Sequence, residues 1–342
     1  MTDTMTALKP YLARVADGQI LSFQEASEAF EIIMSGQATH SQIAGFLVAL
    51  RMRGEHVDEI SAAVQVIRAK ALPVKAPEHA MDIVGTGGDN SGTLNISTTT
   101  AIVVAGCGVP VAKHGNRALS SKSGAADVLT CLGVNLDAPF PLIERAIREA
   151  GIGFMLAPRH HQSFKYVGPV RAEMGIRTVF NILGPLCNPA GVKRYLIGVY
   201  ARQWVRPMAE VLAKLGCEKA WVVHGANGLD ELSTTGSNYV CEVEGARVRE
   251  FEISPADAGL PQASLADLKG GDGNYNARRL QALLDGQQDA YRDMVVLGAA
   301  AALLIAGQVA DLKAGVAMAA MAIDSGAANK ALATLKEISN SL

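Results

Sequence analysis

The sequence predicts an α/β protein with a small N-terminal helical domain and a larger α/β domain, whose mainly parallel central sheet is covered by helices. Apolar residues recur at helical spacing through the first seventy residues, and strand-like and helical segments alternate after Pro73. Glycine is abundant at 34 residues while aromatic residues make up only 5%, a balance that suits tight loops between strands and helices. We therefore expect a helical domain over 1–72, joined in space by part of about 160–190, and an α/β domain over 73–342.

Three short helices are expected in the N-terminal domain. Ser22 and Glu25 form a capping box, in which each side chain bonds a free backbone amide at the start of a helix. The apolar stripe of this first helix continues to Gly36, which ends it. The two further stripes consist of Ile43, Phe46, Leu47 and Leu50, and of Ile60, Val64 and Ile67.

Beyond Pro77 the pattern changes to short apolar strands with helices between them. The strand-like segments are Met81–Val84, Val109–Lys113, Ile152–Leu156, Leu196–Val199 and Ala220–Val223. A helix is expected at about Ser97–Ala105, and the chain is helical again from Asn276 onward. Alternation of apolar and polar residues around Glu244-Gly245 predicts a hairpin over Tyr239–Ile253, placed after the sheet.

Composition argues against several functional classes. The formal net charge is -2 and no basic run is present, whereas nucleic-acid binding needs clustered cations. The most apolar stretch, Leu297–Ala306, is shorter than the ~20 residues of a membrane helix and predicts a buried helix, and no secretory signal is evident. Five widely spaced cysteines match no metal-ligand pattern, so we expect reduced thiols and a cytoplasmic location.

A glycine-rich loop directly follows the first strand. It covers Gly85–Thr93, and Asn95–Thr98 then opens the next helix. Glycines let backbone amides approach an anion closely, and a helix N-terminus favours phosphate. No Gly-Lys-Ser/Thr follows as in a Walker loop, and the glycine spacing differs from that of the dinucleotide fingerprint. We interpret this loop as a phosphate site rather than as a purely structural turn.

A second polar segment, Lys113–Gly124, begins at the end of the next strand. It combines three cations, several hydroxyl and amide side chains, and glycines. Loops at the carboxyl ends of strands are where α/β sheets bind ligands. A diphosphate requires such a density of donors, because each charge-assisted hydrogen bond contributes roughly 1.5–3 kcal/mol. The segment therefore indicates a diphosphate site.

The third element is the acidic pair Asp230-Glu231, which follows a strand and a loop with two glycines. On a loop, both carboxylates can reach one hard cation. Magnesium prefers a few carboxylates plus substrate phosphates to a complete protein cage. Joined to two phosphate loops, the pair predicts a magnesium site.

Together these segments resemble the anthranilate phosphoribosyltransferase family, the tryptophan-pathway members of a group related to class II nucleoside phosphorylases. The resemblance covers nearly the whole chain and includes Gly54-Glu55, Val167–Arg171 and Phe180–Gly191. It implies magnesium-dependent transfer of the 5-phosphoribosyl group from phosphoribosyl diphosphate to the amine of anthranilate, giving N-(5-phosphoribosyl)anthranilate and diphosphate. It also implies two Mg²⁺ ions per subunit and a homodimer formed through the helical domain.

The resemblance implies roles for individual residues. Contacts with the phosphoribosyl donor are implied for Gly85, Gly88, Asp89, Thr93, Asn95, Ile96, Ser97, Thr98, Lys113, His114, Gly115, Asn116, Arg117, Ala118, Leu119, Ser120, Ser121 and Ala125. Anthranilate contacts are implied for Gly85, Asn116 and Arg171, with His114 and Pro185 lining the acceptor channel. The magnesium ligands would be Ser97, Asp230 and Glu231. No general acid or base is assigned, and Lys113 together with the metal would stabilise developing charge.

Two departures from the family pattern stand out. Ala125 replaces a serine that contacts the donor, so one hydrogen bond must be absent or replaced, and Thr130 stands where glutamate is common. Three other interpretations remain open at this stage. One is a nucleoside phosphorylase, although its Lys-His-Ser-Thr run is replaced here by Met81–Val84. The others are a catalytically inactive binding relative and an enzyme that takes another substituted benzoate.

Overall fold

The computed structural model describes residues 6–117 and 123–341. Four helices precede the first strand: α1 (Lys9–Ala16), α2 (Phe23–Met34), α3 (His40–Arg53) and α4 (Val57–Ala69). The prediction of three helices was therefore wrong by one. Helix α1 has eight residues and buries only Val15, so it leaves no apolar stripe that the sequence alone would reveal.

Capping boxes begin α2 and α3. The Ser22 amide donates to Glu25 and the Glu25 amide donates to Ser22 Oγ, at 2.9 and 3.3 Å, as predicted. Thr39 and Gln42 make the same reciprocal pair at the start of α3, at 3.0 and 3.3 Å. Each box satisfies amides that have no partner within the helix.

The remaining elements form one seven-stranded sheet with helices on both faces. The strands are β1 (Met81–Gly85), β2 (Val111–Gly115), β3 (Ile152–Leu156), β4 (Arg194–Gly198), β5 (Lys219–His224), β6 (Asn238–Glu244) and β7 (Arg247–Ile253). Their order is β3-β2-β1-β4-β5-β6-β7, with β1 to β5 parallel and the last two antiparallel. The predicted hairpin is present, but it extends the sheet beyond β5 instead of standing after it, because β6 pairs with β5 along its whole length.

Eleven further α-helices of the described residues connect and cover the strands. They are α5 (Ile96–Gly106), α6 (Ala125–Cys131), α7 (Phe140–Glu149), α8 (Ala157–His160), α9 (Gly168–Met174), α10 (Phe180–Leu183), α11 (Val205–Lys214), α12 (Gly273–Leu284), α13 (Ala290–Ile305), α14 (Leu312–Asp324) and α15 (Ala327–Ser339). Strand–helix alternation with parallel pairing is the arrangement that the apolar strands predicted.

Apolar side chains on the two faces of the sheet belong to two different cores. Leu196 of β4 packs into the core formed with α5 and α13, while its neighbour Ile197 packs into the other. The second core is continuous with α1–α4 and includes Phe30 and Phe46, whose rings meet edge to face at 5.8 Å. Phe180 joins this cluster at 6.3 Å from Phe30. The helical bundle is thus fixed against one face of the sheet by a shared core.

The apolar stretch near the C-terminus lies in α13, nearly all of which is buried. In the described part of the chain, none of the helices is both long and apolar enough to span a membrane. All five cysteines fall within the described residues and are free thiols.

Candidate active site

Functional side chains gather where the parallel strands end. The chain runs outward from β1 to β2 and β3, and then crosses back to β4 on the other side of β1. In open α/β sheets, ligands bind at such a reversal of strand order, beyond the carboxyl ends of the strands. The loop after β1, the segment after β2 and the acidic pair after β5 all lie at this end of the sheet.

The loop between β1 and α5 has the backbone conformation that its glycines allow. Gly87, Gly88 and Gly92 have positive φ angles of 68°, 78° and 64°. Residues with a Cβ rarely adopt this region. Asp89 accepts a hydrogen bond from the Ser91 amide at 3.1 Å, which tightens the turn. The loop is therefore a compact turn, and its role as a phosphate site stays a prediction.

Helix α5 starts directly after this loop. Ile96 is its first residue, and the Asn95 side chain makes no capping bond to the amides of the first turn. The Ser97 amide donates instead to Glu231 Oε1 at 3.1 Å. Ile96 and Thr98 are buried, so any contact of theirs with a ligand must come from the backbone or from the enclosed Thr98 hydroxyl, which has no protein partner among the described residues. Thr93 lies at the end of the loop and shares a hydrogen bond with Ser91.

Three carboxylates meet at the helix start. Asp230 accepts from the Gly87 amide at 2.6 Å, and Glu231 accepts from Ser97. Burial raises the pKa of Asp230 well above its usual value, and the negative charges of Glu231 and Asp89 raise it further. Burial also raises the pKa of Glu231 to about 7. Crowded buried carboxylates of this kind are stabilised by a cation.

This donor set suits magnesium. Two carboxylates and the Ser97 hydroxyl are hard oxygen ligands, and Mg²⁺ takes one or two carboxylates together with water and phosphate oxygens. Within the described ranges, no group of three or more His, Cys, Asp or Glu side chains could hold a metal ion on its own. The remaining ligands would therefore come from water and a phosphorylated substrate.

The segment after β2 brings a buried cation to the same place. Lys113 Nζ donates to the Ile83 carbonyl at 2.5 Å and to Ser97 Oγ at 3.4 Å. Burial lowers the pKa of Lys113, while the carboxylates of Asp82 and Glu231 oppose that shift. Arg117 lies farther out and pairs with Asp127 at 3.6 Å. Four predicted donor residues fall outside the described residues: Ala118, Leu119, Ser120 and Ser121.

Helix α6 closes this segment. Ala125 is its first residue, and the Ala126 amide donates to the Asn116 carbonyl at 3.2 Å. A Cβ on Gly115 would lie 2.9 Å from the Phe154 ring and 3.4 Å from the Ala125 Cβ. Gly115 is therefore required by close packing. The methyl of Ala125 stands against it, in the position where the family has a serine.

A cavity of about 460 Å³ opens beside the loops. Its lining residues include Gly85, His114, Asn116, Arg171 and Pro185. Every residue for which an acceptor contact was predicted therefore lines this cavity. Gly85 and Asn116 belong both to this cavity and to the predicted donor loops, so the cavity adjoins the predicted phosphate site.

The cavity contains neutral histidines and a partly buried cation. Burial and the neighbouring His161 and His160 hold the pKa of His114 well below its usual value, and burial lowers the pKa of His161 to about 4. The Arg171 guanidinium stacks over the Phe180 ring at 5.6 Å, and burial alone lowers its pKa. Among the described residues, no carboxylate pairs with Arg171. An anionic acceptor would supply the missing charge.

Sequence reasoning missed several residues that hold the site together. Asp82 and Asn188 bond to each other beneath the loops at 2.7 Å, and Asn276 bonds to Asn95 at 2.8 Å. Arg177 donates to the Gly88 carbonyl. Only Asp82 left a signal, since a charged residue inside the apolar strand Met81–Gly85 must be buried with partners.

Known families match both parts of the chain. The helical bundle domain of a glycosyl transferase family matches residues 9–71, and the a/b domain of a glycosyl transferase family matches residues 77–329. With the phosphate loops and acidic pair described above, the fold and site define a two-part glycosyltransferase.

Individual relatives narrow the class. The chain is 60% identical to anthranilate phosphoribosyltransferase of Chelativorans sp. (strain BNC1) and 59% identical to that of Rhizobium meliloti (strain 1021), in each case over 98% of this chain and 99% of the relative. The chain belongs to the anthranilate phosphoribosyltransferase family, whose enzymes act in tryptophan biosynthesis. The comparisons therefore support the family resemblance that the sequence suggested.

Solved structures agree. Anthranilate phosphoribosyltransferase from Thermus thermophilus superposes with a TM-score of 0.92 at 42% identity, over 98% of this chain and 100% of that one. The enzyme from Saccharomyces cerevisiae in complex with PRPP and Mg has a TM-score of 0.89 at 28% identity, and its complex with 4-fluoroanthranilate has 0.88 at 26%, each covering 98% of both chains.

Proposed function

We propose that this chain transfers the 5-phosphoribosyl group of phosphoribosyl diphosphate to the amine of anthranilate, yielding N-(5-phosphoribosyl)anthranilate and diphosphate. One observation carries the proposal: a loop rich in amides, an acidic pair and the buried Lys113 meet beside a cavity whose partly buried Arg171 has no carboxylate partner among the described residues. Family membership supports the same reaction.

The donor is proposed to lie over the first loop and the start of α5. Support comes from the hydrogen bonds that gather Ser97, Glu231 and Lys113 at the start of α5, next to the glycine-rich loop. The residues proposed to contact the donor are those implied by the family resemblance in the sequence analysis, of which Gly85 is the first and Ala125 the last. Lys113 is buried and has little freedom to move, so its charge is already in place for the departing diphosphate.

Magnesium is proposed to be held by Ser97, Asp230 and Glu231, with two ions per subunit. A related enzyme has been solved in complex with PRPP and Mg, which supports the use of this metal. When bound, magnesium would neutralise negative charge on the diphosphate and so improve it as a leaving group. The crowding of the three carboxylates supports a cationic occupant.

Anthranilate is proposed to occupy the cavity with its carboxylate toward Arg171. A guanidinium fork matches a carboxylate, and Asn116 can bond the ring substituents or the amine. The amine forms the new bond to carbon 1 of the ribose as the bond to diphosphate breaks, and it then loses a proton. An aromatic amine is already nucleophilic at neutral pH, so correct orientation in the cavity supplies the main catalytic contribution of the acceptor site.

The proposal is tested by incubating the protein with phosphoribosyl diphosphate, anthranilate and Mg²⁺ while following the loss of anthranilate fluorescence. We expect turnover that a chelator abolishes. The double variant Asp230→Ala plus Glu231→Ala should lose turnover while retaining its fold. The matched control is Glu250→Ala plus Glu252→Ala, which removes two exposed carboxylates from the edge strand β7. Unchanged turnover of the first variant would discard the metal assignment.

We also propose that the protein is a cytoplasmic homodimer. The division into a helical domain over 1–72 and an α/β domain over 73–342 is proposed with it, and the dimer would form through the former. Met52, near the end of α3, is 80% exposed, and Val48 on the same helix and Ile176 after α9 are also exposed. Free apolar side chains in a cluster suit a subunit interface. Analytical ultracentrifugation of the wild type should give twice the mass of one chain. The variant Met52→Asp should give a lower mass, because the dimer dissociates.

A further inference from the structure

Strands β1 and β2 pair at a single position. Met81 pairs with Val111, whereas β1 pairs with β4, and β2 with β3, along five residues each. The Met81 amide donates to the Pro110 carbonyl at 3.0 Å. In a regular parallel ladder, the next hydrogen bonds would join the backbone of Ile83 on β1 to those of Ala112 and His114 on β2. These bonds are not formed, although both strands lie within the described residues.

Side chains take over the hydrogen bonds that β2 would have made with β1. The His114 amide donates to Asp82 Oδ1 at 3.2 Å. The Ala112 carbonyl accepts from Asn188 Nδ2 at 2.8 Å. In a continuous ladder both groups would have bonded to the backbone of Ile83. Asp82 and Asn188 thus stand between the two strands as substitutes for one rung of the sheet.

The carbonyl of Ile83 is satisfied in the same way. It accepts from Lys113 Nζ at 2.5 Å. Three of the four backbone groups of the missing rung are therefore paired with side chains. Buried backbone groups need partners, so this network is what makes the gap between the strands stable.

The Asn188 side chain uses its amide NH₂ and its oxygen in hydrogen bonds at the same time. Asn188 Nδ2 donates to Asp82 Oδ2 at 2.7 Å as well as to the strand, and its Oδ1 accepts from the Ala190 amide at 2.8 Å. Asp82 is fully buried and Asn188 nearly so. Burying a carboxylate is costly unless it is hydrogen-bonded and paired. A regular ladder would satisfy the same backbone groups without burying a carboxylate, so the polar pair requires another explanation.

The gap lies directly below the site. It gives the Lys113 side chain room to cross from β2 to the Ile83 carbonyl and to end 3.4 Å from Ser97 Oγ. The hydrogen bond that the His114 amide donates to Asp82 fixes the backbone of His114, whose side chain lines the proposed acceptor cavity. In a normal rung the Ile83 carbonyl would accept from the His114 amide, so Lys113 would lose the acceptor that fixes its ammonium group.

We propose that Asp82 and Asn188 form a positioning pair, which holds β1 and β2 apart and thereby directs Lys113 to the donor and His114 to the acceptor cavity. Both residues are buried and neither lines the cavity. The inference rests on the proposed function, because it takes Lys113 to be a donor contact.

The pair is tested by exchanging its two side chains. Asp82→Asn keeps an oxygen for the His114 amide but sets an amide NH₂ against that of Asn188, and Asn188→Asp sets two carboxylates together. We expect each single variant to raise the KM for phosphoribosyl diphosphate by at least about tenfold, the effect of one charge-assisted hydrogen bond. In the double variant an amide again faces a carboxylate, so the combined loss should shrink by about tenfold.

The readout separates positioning from folding, because KM does not depend on the fraction of folded enzyme. Wild-type KM values in both single variants would overturn the proposal, whatever their Tm. Where Asp82→Asn does not fold, Asn188→Ser decides by the same criterion: a raised donor KM supports the pair and an unchanged one overturns it. A wild type that forms no product would instead overturn the proposed function.

Glu59 offers a matched control in the helical domain. Its carboxylate is buried and accepts from the amides of Leu21 and His56 at 2.9 and 3.0 Å. Glu59→Gln should lower the melting temperature and leave both KM values unchanged. A donor KM raised as much as in Asp82→Asn would show a general effect of losing a buried carboxylate, and would overturn the proposal.

Discussion

At the scale of single residues, two glycines decide where the acidic pair lies. A Cβ on Gly198 would overlap the carbonyl oxygen of Asp230, and a Cβ on Gly85 would overlap the Asp230 carboxylate. The backbone at Asp230 therefore packs directly against the ends of β4 and β1. No other residue type leaves room for this approach.

Gly198→Ala tests this contact. The added methyl must push the Asp230 backbone away, so we expect turnover to fall by about a hundredfold or more and stability to fall by about 1–3 kcal/mol. Gly168→Ala is the control, because Gly168 begins helix α9 and a Cβ there meets nothing within 4 Å. Steady-state kinetics and thermal unfolding of the two variants give the comparison. Wild-type turnover in Gly198→Ala would contradict the geometry.

Arg171→Ala tests the acceptor cavity. Losing the guanidinium removes a charge-assisted pair of hydrogen bonds, so the KM for anthranilate should rise roughly tenfold to a hundredfold. Arg171→Lys should restore only part of the affinity for anthranilate, because an ammonium group lacks the planar fork of a guanidinium. The donor KM measured in the same assays is the internal control. A raised donor KM with normal anthranilate binding would contradict the role.

At the scale of elements, the segment before α12 supports the donor loop. The Gly270 amide donates to the Gly92 carbonyl at 2.8 Å, and the Leu94 amide donates to the Leu268 carbonyl at 3.0 Å. Asn276, in the first turns of α12, fixes this contact from below. The donor loop is therefore held by two backbone bonds to a segment 170 or more residues away in sequence.

Asn276→Ala tests this support. Asn276 Oδ1 accepts from the Gly271 amide and its Nδ2 donates to Asn95 Oδ1, both at 2.8 Å. Its loss leaves buried polar groups unpaired, so we expect about 1–3 kcal/mol lower stability and a donor KM raised about tenfold. Asn329→Ala is the control, since Asn329 bonds Asp285 and Gln281 on the surface. Urea unfolding and donor titration measure both effects.

Element boundaries show what a single sequence can and cannot reveal. The strand predicted at Ile152–Leu156 agrees with β3, whereas the one predicted at Val109–Lys113 lies two residues before β2 at Val111–Gly115. The first is bounded by a glycine and a helix start. The second continues past Lys113 into His114 and Gly115, and the polarity of His114 conceals that it is a buried strand residue.

At the scale of the whole molecule, buried histidines make stability depend on pH. Burial lowers the pKa of His161 to about 4, so between pH 6.5 and 4 the unfolded chain binds a proton that the folded chain does not. The contribution of His161 to the free energy of unfolding is therefore complete above pH 6.5. It falls by about 1.4 kcal/mol per pH unit, roughly 3 kcal/mol in all, as the pH falls to 4.

The variant His161→Asn should lose less free energy of unfolding than the wild type as the pH falls. Unfolding free energies of wild type and variant at pH 7 and pH 5 isolate the contribution of His161 from that of Asp82, whose raised pKa of about 6 acts with the opposite sign. Gln162→Ala, which changes the same cavity wall without a titrating group, is the control. An equal pH dependence in wild type and His161→Asn would contradict the prediction.

The fold class was predictable because it depends on short-range patterns. Strands buried on both faces read as apolar runs, and capping boxes and glycines mark where helices begin and end. The order of the strands was not predictable, since it depends on which buried faces meet in space. The hairpin over β6 and β7 was visible locally, yet only pairing between β5 and β6 made it part of the sheet.

By itself, the sequence was enough to predict the chemistry of this protein, because the predicted phosphate loops are contiguous segments whose glycines, hydroxyls and cations are visible without the fold. Only the tertiary structure decided how these segments are held. Asp82 and Asn188 are 106 residues apart and Asn276 and Asn95 are 181 apart, so their hydrogen bonds exist only once the sheet has formed. Burial makes those bonds strong, and burial is a property of the folded chain.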